Sequence, residues 1–197
     1  MQWIMITWWT PFFNKLYDYL GFPQDKAKMP SLMEHQQACY PKALTNQVVI
    51  DLATFQDLDA FEDLQDQAYQ GYIPWSKADF IGEWTSNPYA FYLVIRSGDS
   101  VVGLASGRIR HKDSHLSHLI LVPAYQGQGL GQVLLREWMS VAKLLGSQQV
   151  SLELRASNQT AQMVYQKLGF KEVGRKQDYY LDNQETAIQM IKRFEED

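Results

Sequence analysis

Glycines 127, 129 and 131 lie in the run LVPAYQGQGLGQVLL, between an apolar stretch that closes on Val122-Pro123 and a helical stripe that opens at Leu130. A turn of this kind offers backbone N–H groups at a helix N-terminus, where partial positive charge favours an anion by roughly 0.3–1 kcal/mol at exposed sites. The chemistry it suits is the holding of a phosphate, with a pyrophosphate as the natural guest. Two phosphate motifs are excluded. The spacing is not Gly-x-Gly-x-x-Gly, and no acidic residue ends a following second strand as a dinucleotide fold requires. The Gly-Lys-Ser/Thr end of a P-loop is also missing. On spacing alone, a simple strand-to-helix connection accounts for the turn equally well.

Other reactive side chains narrow the field. His111, His115 and His118 invite a metal reading, but along a strand 115 and 118 differ by an odd number and should point to opposite faces. They read as hairpin and strand-edge histidines, with His118 adjoining the strand that enters the glycine turn. Cys39 is the only cysteine, so neither an intramolecular disulfide nor a cysteine metal cluster can form. A net charge of −4 and a pI near 5.6 argue against broad nucleic-acid binding, which needs a clustered excess of Lys and Arg. The expected location is the cytoplasm.

The elements that must position these residues begin after an unusual N-terminus. Residues 1–22 are apolar and aromatic, yet carry no basic n-region and no small-residue cleavage site. Their uncharged run, 1–14, is shorter than the ~20 residues of a membrane span. Thr10 as N-cap, Pro11 at the first helical position and Gly21 with Pro23 at the end bracket Trp9, Phe12, Phe13, Leu16, Tyr17 and Leu20 at helical steps. The expectation is a short amphipathic helix that docks on its own domain or on a partner. A membrane-surface role is disfavoured, because Lys15 is its only basic residue. Residues 22–45 read as a linker, so 1–45 form an extension and 46–197 the folded domain.

In that domain, 48–52 reads as a strand, 54–69 as a helix, and Ser76 as the N-cap of a second helix. β-Rich runs at 90–96 and 101–109 flank SGDS, a hairpin signature, and 116–122 is a third strand. The stripe Leu130, Val133, Leu134, Trp138, Val141 and Leu145 predicts a helix over 129–145. A strand at 150–154, a helix at 158–168 ended by Gly169, and strands at 170–175 and 187–191 around a polar, tyrosine-bearing loop complete the order. The predicted class is α/β (α+β): a mixed, mostly antiparallel sheet with helices on both faces.

The segment 119–131, the block LELRASN at 152–158 and YQKLGF at 165–170 together resemble the GNAT superfamily of acetyl-CoA-dependent N-acetyltransferases. PWS at 74–76, the Tyr179-Tyr180 pair and Ala187-x-x-Met190 are similar to the ribosomal-protein-alanine N-acetyltransferases, the RimI type; the likeness covers about 47–191. The resemblance implies that the backbones of Leu119, Ile120 and Leu121 pair with the pantetheine arm of acetyl-CoA like an added strand. It implies that Gln126, Gly127, Gln128, Gly129, Leu130, Gly131 and Gln132 cradle the pyrophosphate, and that Asn158 hydrogen-bonds the pantetheine. Gly127 and Gln132 stand where the family often has a basic residue, so phosphate holding should rest on N–H groups and binding should be weaker.

An amine attacks a thioester only when unprotonated, and an α-amino group of pKa about 7.7–8.0 or a lysine near 10.4 is mostly charged at pH 7. A proton acceptor is therefore needed, and the departing CoA thiolate needs a donor. Glu153 has the type and place for the first role, acting directly or through water, and Tyr165 has the phenolic O–H for the second. The resemblance assigns them these same roles, base and acid. Each also has a structural reading: Glu153 shares a strand face with Arg155 and could form a surface pair, and Tyr165 lies in an apolar stripe with Val164 and Leu168.

By the same resemblance, the acceptor enters between the early helical turn and the last hairpin, against Trp75, Tyr179 and Tyr180. That aromatic wall suits a peptide backbone better than a polycation. The leading expectation is acetylation of a protein N-terminus, an alanine-starting small-subunit ribosomal protein. The alternatives are a small amine or lysine acceptor, and a non-catalytic acyl-CoA-binding or protein-docking module.

Overall fold

The computed structural model of the chain describes residues 40–45 and 47–195. The helix expected in the first 22 residues, the linker up to residue 39 and Cys39 lie outside the described residues. In chain order the elements are β1 (Lys42–Ala43), β2 (Val48–Leu52), α1 (Leu58–Tyr69), α2 (Lys77–Ser86), β3 (Ala90–Ser97), β4 (Ser100–Arg108) and β5 (Asp113–Leu121). Then come α3 (Leu130–Leu144), β6 (Gln149–Arg155), α4 (Gln159–Lys167), β7 (Lys171–Tyr180) and β8 (Glu185–Arg193). The strands form one eight-stranded sheet in the order β1-β2-β3-β4-β5-β6-β8-β7. Every neighbouring pair is antiparallel except β5 with β6.

The two faces are filled by different helices. Tyr92 of β3 stacks on Phe61 of α1 at 6.0 Å and meets Trp84 of α2 at 5.0 Å, while Phe61 and Phe80 pack edge to face. On the opposite face, α3 buries Leu134, Leu135, Trp138 and Val141, and the Trp138 indole donates to the Phe91 carbonyl at 3.3 Å. Of the stripe read from the sequence, Leu134, Trp138 and Val141 are buried and Leu130 and Leu145 half-buried, but Val133 is exposed and Leu135 takes its place in the core. Residues ahead of the expected domain start also join the assembly. Lys42–Ala43 pairs with β2, and the Tyr40 hydroxyl and Lys42 ammonium both bond Glu137 of α3, at 3.0 and 2.8 Å.

The last hairpin is longer than its sequence suggests: β7 runs through Tyr179 and Tyr180, which were expected in a loop. As an edge strand with two register shifts, β7 is largely exposed, so no alternation of apolar and polar residues marks it.

Two local features shape the centre. The first is a β-bulge: Ser106 of β4 pairs with His118 and Gly107 with Leu116, leaving Ser117 unmatched. The bulge reverses side-chain parity along β5, so His115 and His118 share the face of α1 and α2, and the opposite-face expectation is overturned. Only glycine fits at 107, because a methyl group there would collide with the His115 carbonyl oxygen. The second is a fork. The parallel pairing of β5 with β6 covers only Asp113, Ser114 and His115 against Gln149, Val150 and Ser151. Beyond it, residues 116–121 of β5 have no β6 residue in register.

Candidate active site

The glycine turn closes the open end of the fork. Gly127 and Gly129 both take positive φ, 73° and 79°, and Gly129 caps α3 with no side-chain bond to its first turn. The N–H groups of Gly127, Gln128, Gly129, Leu130 and Gly131 donate to no acceptor among the described residues. Successive open donors at a helix N-terminus form an anion cradle. Two glutamines stiffen the loop: Gln126 donates its side-chain amide to the Leu121 carbonyl at 2.8 Å, and Gln128 to that of Ala124 at 2.9 Å. One carbonyl of the expected added-strand edge is therefore already engaged and Leu119 remains along the fork, while the backbone of Ile120 turns to Leu104 of β4. Asn158 caps α4, its Oδ1 accepting from the Ala161 N–H at 2.9 Å, and its amide nitrogen bonds nothing among the described residues.

Glu153 lies on β6 beside the fork, on the face of α1 and α2. Its carboxylate is mostly buried and three groups meet it. Oε1 accepts from the Lys176 ammonium at 3.0 Å and from Gln189 Nε2 at 3.2 Å, while Oε2 lies 3.3 Å from His115 Nε2. Glu153 and Arg155 share a face as expected, but they do not pair. Arg155 bonds Asp182 and Glu185 at 2.9 and 3.2 Å, and its guanidinium stacks between Tyr180 at 4.0 Å and Tyr72 at 5.5 Å. Arg155 thereby ties the α1–α2 turn to the β7–β8 hairpin.

Tyr165 is buried on α4, its ring edge-on to Phe170 at 5.5 Å. Burial, reinforced by the Tyr69 and Tyr180 phenols, pushes its proton affinity above the ordinary phenol range, so the hydroxyl stays neutral. No hydrogen bond engages that hydroxyl among the described residues, and no buried side-chain oxygen or nitrogen there lacks a partner. The hydroxyl therefore opens to solvent.

The expected acceptor wall divides. Tyr179 and Tyr180 pack edge to face at 5.2 Å on the outer side. Trp75 instead turns inward, edge-on to His118 at 4.8 Å and against Phe80 at 5.3 Å, and Tyr72 takes the place facing Arg155. The turn is held by Gln65, fully buried, whose amide accepts from the Trp75 N–H at 3.1 Å and donates to the Trp75 carbonyl at 2.7 Å. His118 bonds Ser106 through Nδ1 at 2.9 Å, and burial lowers its pKa to about 4. Among the described residues no group of acidic, histidine or cysteine side chains is arranged to hold a metal. His115, Lys176, Gln65 and Arg155 are additions to the residues expected at the site.

The family described as acetyltransferase (GNAT) domain matches residues 60–192. The chain belongs to the GNAT acetyltransferase family. Among GNAT relatives, the N-alpha-acetyltransferase RimI of Mycobacterium tuberculosis is 35% identical over 140 residues, covering 69% of this chain and 86% of the relative. The ribosomal protein bS18-alanine N-acetyltransferase of Escherichia coli K12 is 30% identical over 136 residues, 68% of this chain and 89% of the relative. The crystal structure of the Escherichia coli ribosomal-protein-S18-alanine N-acetyltransferase superposes with a TM-score of 0.69 at 26% identity, covering 76% of this chain and 96% of that one. This GNAT chain thus matches most of each relative's length and adds a segment ahead of the matched region. Among the described residues no helix is long and apolar enough to cross a membrane.

Proposed function

We propose that the chain transfers the acetyl group of acetyl-CoA to the α-amino group of a protein N-terminus, with an alanine-starting small-subunit ribosomal protein as acceptor. The observation that carries this reading is the fork, with the open N–H groups of residues 127–131 at its end and Glu153 beside it. The turn holds the pyrophosphate, and the unpaired edge from Leu119 to Leu121 takes the pantetheine arm, helped by the free amide of Asn158. A backbone N–H of that edge steadies the negative charge that grows on the thioester oxygen.

Glu153 is the base. Its contact with the Lys176 ammonium supports this, because a carboxylate that holds one alkylammonium can hold another; the acceptor amine would displace Lys176 from Oε1. The amine gives its proton to Glu153, attacks the carbonyl carbon, and the C–S bond breaks. Tyr165, kept neutral by burial, gives its proton to the thiolate and regains one from the nitrogen of the new amide. The acceptor peptide lies between the α1–α2 turn and the β7–β8 hairpin, along Tyr72, Tyr179 and Tyr180, with Trp75 packed behind the turn. The names of the relatives support the alanine acceptor, and that acceptor places the enzyme in the cytoplasm. Residues 46–197 are the catalytic unit, and the bonds of Tyr40 and Lys42 to Glu137 support an extension whose end lies along its own domain.

The test is release of CoA thiol with three acceptors: peptides starting with alanine, free small amines, and N-terminally blocked peptides bearing lysine. Turnover on the first set is expected. Activity confined to blocked lysine peptides would remove the N-terminal assignment, and acetyl-CoA binding without turnover on any acceptor would leave a docking module.

A further inference from the structure

Of the polar neighbours of Glu153, Gln189 and His115 have no task in acetyl transfer, and only His115 can take up a proton. His115 meets the carboxylate oxygen that Lys176 does not: its Nε2 lies 3.3 Å from Oε2, and its Nδ1 lies 3.0 Å from Ser151 Oγ. The Ser151 hydroxyl in turn reaches the Ser114 carbonyl at 3.3 Å. A carbonyl can only accept, and a hydroxyl has a single proton to give. Once Glu153 has taken a proton, the tautomer that satisfies all these groups carries its proton on Nδ1, donating to Ser151. That leaves the Nε2 lone pair aimed at the Glu153 carboxyl. The ring reaches this position because the bulge turns it onto Glu153's face, and its side chain stays 35% exposed.

We propose that His115 is a positioning residue that drains the proton from Glu153 after each acetyl transfer and releases it to water, an inference that rests on the base reading of Glu153. The acceptor ammonium loses a proton to the carboxylate, giving a carboxyl group. The carboxyl O–H then donates to Nε2, which restores the carboxylate and forms an imidazolium. The imidazolium loses a proton to water at its exposed edge, and the neutral ring returns. Nothing but the proton changes place.

The surroundings favour a ring that lets go. Burial opposes the imidazolium most, Glu153 of β6 favours it, and Arg108 of β4 and Lys176 of β7 oppose it, so the pKa falls below the usual 6.5. His118, on the same face of β5, is neutral at pH 7 and supplies no competing charge.

The experiment measures initial rates of CoA thiol release from the full chain with an alanine-starting peptide between pH 6 and 9. It compares the wild type with His115→Gln, His115→Ala and Glu153→Gln. His115→Gln keeps a polar amide beside Glu153 but no group that can take up its proton, so kcat should fall about a hundredfold, the low end of what a positioned proton-transfer group contributes, with the acetyl-CoA KM unchanged. Added imidazole should restore rate to His115→Ala, and the acid limb of the kcat profile should move in both variants. A wild-type kcat in His115→Gln overturns the proposal, and so does a His115→Ala that imidazole leaves slow. If Glu153→Gln is slow while both His115 variants keep the wild-type rate and profile, the drain fails and the base reading stands. A Glu153→Gln enzyme at full rate removes the base reading and the drain together.

Discussion

Tyr165 carries a hydroxyl that is held neutral and, among the described residues, has no hydrogen-bond partner, on a ring otherwise packed away. If that hydroxyl protonates the leaving thiolate, Tyr165→Phe should lower kcat by about a hundredfold or more. Isothermal titration should find acetyl-CoA affinity nearly unchanged, since the ring and its packing on Phe170 survive. His118 makes a prediction about stability. Its folded pKa, about 4, lies below the unfolded value near 6.5, so between those pH values the unfolded chain binds a proton that the native one refuses. Stability from His118 is therefore complete above pH 6.5 and lost as pH falls toward 4, by about 3 kcal/mol. Urea titrations at pH 7 and pH 4.5 should show this loss, and His118→Gln should reduce it. Glu153, Tyr165 and Asn158 were legible because they sit in short blocks whose order carries a family signature. His115 and Lys176 were not, because their approach to Glu153 depends on a bulge and on the register of an exposed edge strand. Gln65 was hidden for another reason: it sits among Leu, Asp and Gln in α1, and no pattern distinguishes a buried amide that clamps a turn from a solvated one.

At the level of elements, the bulge opposite Gly107 determines which side chains of β5 reach the site. With the collision at its neighbouring strand, Gly107→Ala should cost about 3 kcal/mol, the top of the usual overpacking range, read as a lower urea midpoint. The enzyme that still folds should also lose turnover, since β5 must shift and His115 and His118 move with it. The rule of β-rich, apolar runs placed the strands correctly from 48 to 154, because each has at least one face against a helix, and β3 and β4, covered on both, are buried over continuous stretches. It failed at β7, which has little to bury, and at the two residues of β1, too few to form a run. The alternation rule misassigned the histidines, since parity counted in sequence assumes an unbroken ladder and a single unmatched residue reverses it.

Across the whole molecule, the sheet separates two territories. α3 and its open N-terminus belong to one face, and Glu153, Arg155 and the tyrosines belong to the other. Charge does not organise this division: the chain is mildly acidic overall, and the anion cradle is made of backbone. The division comes from topology, because the right-handed crossover through α3 joins two parallel strands that stay together for only three residue pairs. The fork therefore acts as a window in a partition, through which a donor on one side and an acceptor on the other can touch without either having to leave first. With donor and acceptor bound as proposed, both substrates would have to be aboard before anything is released. Double-reciprocal initial-rate plots should accordingly intersect, and parallel lines, the mark of an acetyl group parked on the protein between two half-reactions, would contradict it.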